Sequence, residues 1–166
     1  MYALFTSKDQ LFATVIEREG DRQTAAIHAA LNATDGAGVA EVLTQFAFDA
    51  AALLLSASNT AMSRTVSSEA VRSPEVGRLF YANGPDRLIS RLAAYLAQAM
   101  KRDELRTANS RLAATQFLAV IVGDLQLRLA MGLAPTTRAQ QRTVVTAGVE
   151  TFMRAYQPDR QQGDRP

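Results

Sequence analysis

A chain of 166 residues is long enough for one domain with a sizeable core, and its 48% hydrophobic and 20% charged residues are ordinary for a globular protein. With no cysteine and a single histidine, His28, it excludes disulfides, thiolate catalysis and sulfur-based zinc sites, and leaves little for metal or proton chemistry. The net charge of +2, from 18 basic residues against 16 acidic ones, is too mild to point to nucleic acid by itself.

The chain reads as helices divided by short Gly, Pro, Asn and Ser punctuation, with no sustained alternation of apolar and polar residues that would make strands. Met1–Phe5 lacks the basic leader and extended apolar stretch of a secretory signal. No apolar run, the longest candidate being Ala50–Leu55, approaches the roughly 20 residues of a membrane span. A cytoplasmic protein is expected, and heavy Ala and Arg usage with little Lys suggests a GC-rich bacterial source.

The first helix opens at Ser7, whose hydroxyl can cap while Gln10 reaches back, and Leu11, Phe12, Val15 and Ile16 carry its apolar stripe to about Leu31. A loop over 32–38 contains Asp35-Gly36. Val39, Leu43, Phe46, Ala50, Leu53 and Leu54 then recur at helical spacing, and a more polar helix follows from Asn59 to Val71. Ser73-Pro74-Glu75 restarts a short helix to about Ala82, and Asn83-Gly84-Pro85-Asp86 breaks it. Leu88, Ile89, Leu92, Tyr95, Leu96 and Met100 mark a longer amphipathic helix ending near Arg102. Thr107 or Asn109 caps the next, from about Ser110 to Met131, stopped by Gly132 and Pro135. Thr137 and Gln140 form a capping box for the last helix, which ends near Tyr156. The tail, 157–166, is almost without apolar residues and is expected to be disordered.

Two groups of residues carry a family resemblance. Tyr2, Phe5, Ser7 and Lys8 resemble the junction at the end of the helix-turn-helix domain of TetR-type repressors, where a tyrosine, a phenylalanine three residues later and a Ser-Lys pair recur in this register. Further on, Phe80-Tyr81-Ala82-Asn83-Gly84-Pro85-Asp86-Arg87, Leu112–Phe117, Gly123-Asp124-Leu125 and Phe152–Tyr156 are similar to the C-terminal effector domain of the AcrR and AefR-like branch. The resemblance implies an all-α fold of about seven helices, with a four-helix dimer interface formed by the last two. On that reading 1–7 is the remnant of a recognition helix and its junction, 8–156 is a ligand-binding and dimerisation domain, and most of the DNA-binding head is missing.

The implied function is the effector-sensing and dimerising portion of a repressor released from DNA by a small hydrophobic or aromatic ligand, which prefers the conformation that fits DNA badly. Tyr2 and Lys8 would touch DNA phosphates, contacts that position a protein without reading sequence; packing against the first helix is the other reading of Tyr2. DNA is a partner only if the missing N-terminal helices are present. The alternative is a stand-alone helical protein that binds a small molecule or partner without DNA-binding activity.

No nucleophile with a base, paired carboxylates or metal cluster stands at recognisable spacing, so no enzyme, no cofactor and no metal is expected. For the ligand, Phe46, Phe80, Tyr95 and Phe117 are the aromatic candidates and Asp49 and Asp124 the polar anchors; plain core packing is the competing reading for the rings. Arg128, four residues after Asp124, offers a salt bridge instead. The polar stretch from Asn59 to Ser68 either lines or gates the pocket or is an exposed face. The helix over 110–131 is apolar all round and so needs cover on every side. Val122, from that helix, and Val145, Gly148, Val149 and Phe152, from the last, are the expected homodimer contacts. No membrane partner is expected.

Overall fold

The computed structural model describes Leu31 and residues 36–158. Tyr2, Lys8, His28, the helix expected to end near Leu31 and the tail from 159 onward lie outside the described residues, which form six helices and no strand.

Helix α1, Val39–Leu54, follows Gly38 and buries Val42, Leu43, Phe46, Ala47, Ala50 and Ala51 along one stripe. The chain bends by 59° into α2, Ala57–Ala70, where the Ser56 hydroxyl accepts from the Asn59 backbone N–H at 3.1 Å and so caps the new helix. The run of Ser, Thr and Asn in α2 leaves it with one buried residue, Val66. Helix α3, Pro74–Asn83, starts on its proline, which loses no hydrogen bond in the first turn. Gly84 separates it from α4, Pro85–Lys101, whose Leu88, Ile89, Leu92, Ala93, Leu96, Ala99 and Met100 make a regular buried face.

Helix α5, Ser110–Ala130, is capped by Asn109, whose Oδ1 accepts from the Leu112 N–H at 2.9 Å. It ends at Gly132 with a φ of +80°, a conformation that only glycine adopts at little cost. Helix α6, Arg138–Ala155, opens with the complete capping box: the Thr137 hydroxyl accepts from the Gln140 N–H at 3.2 Å, and the Gln140 side chain accepts from the Thr137 N–H at 2.9 Å.

Helices α1, α4, α5 and α6 share one core, in which Leu43, Phe46, Leu92, Leu96, Phe117 and Ile121 are completely enclosed. Burial of each such side chain contributes about 1.5–3 kcal/mol. Rings link three of these helices: Phe46 lies 6.0 Å from Phe117, Phe117 meets Phe152 edge-on at 4.9 Å, and Phe152 stacks on Tyr156 at 4.4 Å. Tyr156 in turn donates to Gln116 Oε1 at 2.6 Å, and the Arg106 guanidinium lies 4.6 Å over its ring. A second, smaller cluster holds Val66 of α2 and Val76 of α3, with Met62 and Phe80 packed on it.

Among the described residues α5 is long and apolar enough by composition to cross a membrane, a property that core helices share. Its apolar residues divide into two groups. Ala113, Ala114, Phe117, Ile121, Val122 and Leu125 are buried within the chain, whereas Leu112, Val120, Leu127 and Met131 remain 54%, 43%, 56% and 69% exposed.

Candidate functional site

The polar helix α2 crosses close to the last turns of α5, and between them lies a half-open groove of about 420 Å³, within the range of about 300–1,000 Å³ usual for small-molecule pockets. Asn59, Thr60, Ser63, Arg64 and Ser67 form the α2 wall. Their separations of three and four residues put them on one helical face. Opposite stand Gln126, Leu129, Ala130 and Met131, and Leu54 closes one end. One wall is thus rich in hydroxyls and amides and the other mainly apolar.

Two contacts fix the groove. The Asn59 side-chain amide donates to the Leu54 carbonyl at 3.0 Å, holding the α1–α2 corner. Arg64 Nη2 donates to the Leu129 carbonyl in the last turn of α5, which also accepts from the Gly132 backbone N–H at 3.1 Å. Among the described residues the side chains of Thr60, Ser63, Ser67 and Gln126 have no hydrogen-bond partner within the chain, so their polar atoms are open to an occupant.

The six residues expected at a ligand do not converge here. Phe46 and Phe117 do meet, but as fully enclosed members of the ring series. Phe80 belongs to the small α2–α3 cluster. Tyr95 is half-buried on α4; burial, and next the Glu104 carboxylate, raise its hydroxyl above the ordinary value of 10.0, with Arg102 opposing. Asp49 is half-buried, and both its oxygens accept from the Gln45 amide one turn earlier, at 3.0 and 3.1 Å. Asp124 is exposed on α5, and no ion pair joins it to Arg128 among the described residues; the expected salt bridge is absent because both side chains remain in solvent, where an exposed pair gains little. Arg64, Ser63 and Gln126 are the groove residues that sequence reasoning missed. The available signal was the polarity of 59–68, which already marked a helix able to line a pocket. Among the described residues no group of three His, Asp or Glu could hold a metal ion.

The residues expected at a dimer contact fall at the packing of α5 on α6. Val122, Val145, Gly148, Val149 and Phe152 are all buried inside the single chain, where α5 and α6 cross. A Cβ at Gly148 would stand 2.9 Å from the Val120 carbonyl oxygen and 3.1 Å from Ile121 Cγ2, so this glycine permits the crossing within the chain. The uncovered side of α5 is instead the stripe Leu112, Val120, Gly123 and Leu127. A Cβ at Gly123 would meet nothing within 4 Å.

Residues 41–158 match the sequence profile of the C-terminal domain of AefR-like transcriptional repressors. Among solved structures, a protein described as a TetR-family transcriptional regulator from Mesorhizobium loti superposes with a TM-score of 0.88 at 22% identity, over 94% of this chain and 78% of that one. The flavonoid-responsive regulator FrrA gives a TM-score of 0.80 at 31% identity, over 96% of this chain and 80% of its own. A TetR-family transcriptional regulator from Pseudomonas syringae pv. tomato gives 0.71 at 21% identity, over 94% and 77%. At such identities the first and third show a shared fold. A search of curated proteins finds no match.

Proposed function

We propose, from the premise that this chain belongs to the TetR-type family of AefR-like transcriptional repressors, whose C-terminal domain it carries, that it senses a small hydrophobic or aromatic effector in the α2–α5 groove and dimerises through α5. The groove is the observation that carries this reading: a cleft of ligand size with an apolar wall and unpaired polar groups facing it. One side of it is α5, which also bears the uncovered apolar stripe, so an occupant and a second subunit would act on the same helix.

An aromatic effector is favoured because FrrA, 31% identical, is by its name flavonoid-responsive. The effector would release the repressor by binding best to the conformation that fits DNA badly. A helix as apolar as α5 serves a cytoplasmic regulator as core on one side and as subunit contact on the other. Gly123 would let the two copies of α5 approach closely, since nothing among the described residues requires a glycine there. Catalysis has no place in this scheme.

Thermal melts with a panel of flavonoids, aromatic acids and neutral aromatics test the groove. A ligand at a hundred times its Kd stabilises by about 2.7 kcal/mol, which for a chain of this length raises Tm by about 5–10 °C. Ser63→Trp should fill the groove and suppress the shift. A panel that moves nothing, or a shift that persists in Ser63→Trp, would refute the assignment.

A further inference from the structure

Among the described residues Arg64 is the one charged residue in the groove, and no carboxylate lines it. Among the described residues no acidic group pairs with it either: its guanidinium meets only the Leu129 carbonyl, a neutral acceptor, through a single nitrogen. A guanidinium carries five N–H donors in a planar fork that fits a carboxylate with two parallel bonds. Nearby, the hydroxyls of Ser63, the residue before it, and Ser67, one turn later, are without partners among the described residues. Facing this polar row are Leu129, Ala130 and Met131, which offer apolar surface to the rest of an occupant. The stretch of α2 from Asn59 to Ser67 is about 12 Å long at 1.5 Å per residue, enough for two or three fused rings or an equivalent chain.

We infer that the groove selects an amphiphilic monocarboxylate, whose charged end takes Arg64 while its apolar body lies against the end of α5. The inference rests on the reading of the groove as the effector site and adds the charge of the effector. A carboxylate accepts more strongly than an amide carbonyl, so it displaces Leu129 as the partner of Arg64. The occupant then replaces the tie between α2 and the last turn of α5.

Isothermal titration calorimetry on the full chain with 2-naphthoate and 2-naphthamide separates charge from shape. The carboxylate should bind wild type at least about tenfold more tightly than the amide, as loss of one charge-assisted contact implies. Arg64→Gln should remove that preference and Arg64→Lys should restore part of it. Far-UV circular dichroism checks that each variant is folded; if Arg64→Gln is not, the wild-type preference alone decides. Equal affinity of the two probes, with both excluded by Ser63→Trp, overturns the carboxylate inference and leaves the groove standing. Failure of both to bind, or indifference of both to Ser63→Trp, overturns the groove and the inference together.

Discussion

Exchanging Gly148 for alanine puts a methyl group at the α5–α6 crossing, 2.9 Å from the Val120 carbonyl oxygen and 3.2 Å from Ile121 Cα. Both atoms are backbone, so no side-chain rotation relieves the contact and the helices must part. Overpacking of this kind costs about 1–3 kcal/mol, and its unyielding source puts it in the upper part of that range. Against it stands the roughly 1 kcal/mol that alanine gains over glycine inside a helix. The net loss is about 1–2 kcal/mol, or a Tm lower by about 2–8 °C at some 2–4 °C per kcal/mol. Gly123→Ala is the matched control, because its methyl group enters open space; in protein dilute enough to be monomeric it should raise Tm by about 2–4 °C. Thermal unfolding followed by circular dichroism measures both. A Gly148→Ala chain that gains stability as Gly123→Ala does would refute the crossing.

Phe117→Ala removes the ring shared by the contacts to Phe46 and Phe152 and should cost about 3–5 kcal/mol in urea unfolding; a loss below 1 kcal/mol would show that the rings are not packed as described. Gly123→Arg places a charge in the exposed α5 stripe, so light scattering should find it monomeric with its helicity intact where wild type is a dimer, and a wild-type chain monomeric at tens of micromolar would defeat the dimer proposal. Tyr95 is held protonated above its ordinary value of 10.0, so its contribution to stability is complete below pH 10 and declines as pH rises through the higher folded value. Tyr95→Phe should therefore flatten the alkaline end of the stability profile, and an unchanged profile would count against the shift.

The helix plan was legible because its signals are local. Asn109 and Thr137 cap through their own side chains, Pro74 and Pro85 stand in first turns, and Gly132 takes the positive φ that ends α5; each needs only a few neighbouring residues to be recognised. The groove was not legible in the same way. Its two walls are joined by Arg64 and Leu129, separated by 65 positions, and no periodicity within either helix reports the other. Phe117 reads equally as pocket or core until its neighbours across space are known, and here they are Phe46 and Phe152. Asp124 drew notice by interrupting an apolar helix, yet what surrounds it is solvent. Gly123 and Gly148 look alike in sequence, and only the crossing separates the glycine that α6 requires from the one that the chain leaves unused.

The division of apolar contacts into a large cluster and a small one makes the molecule mechanically uneven. Helices α1, α5 and α6 are interlocked by rings, so displacing any one of them disturbs the others. The α2–α3 pair has only its own small cluster, Val66 and Val76 with Met62 and Phe80, and gives no residue to the large core, so swinging the pair outward sacrifices far less buried surface. The groove therefore has one stiff bank and one compliant bank, and amide hydrogens of α2 and α3 should exchange ahead of those in α5 and α6. Work done on the cleft goes first into moving α2, and the stiff bank shifts only once that slack is taken up.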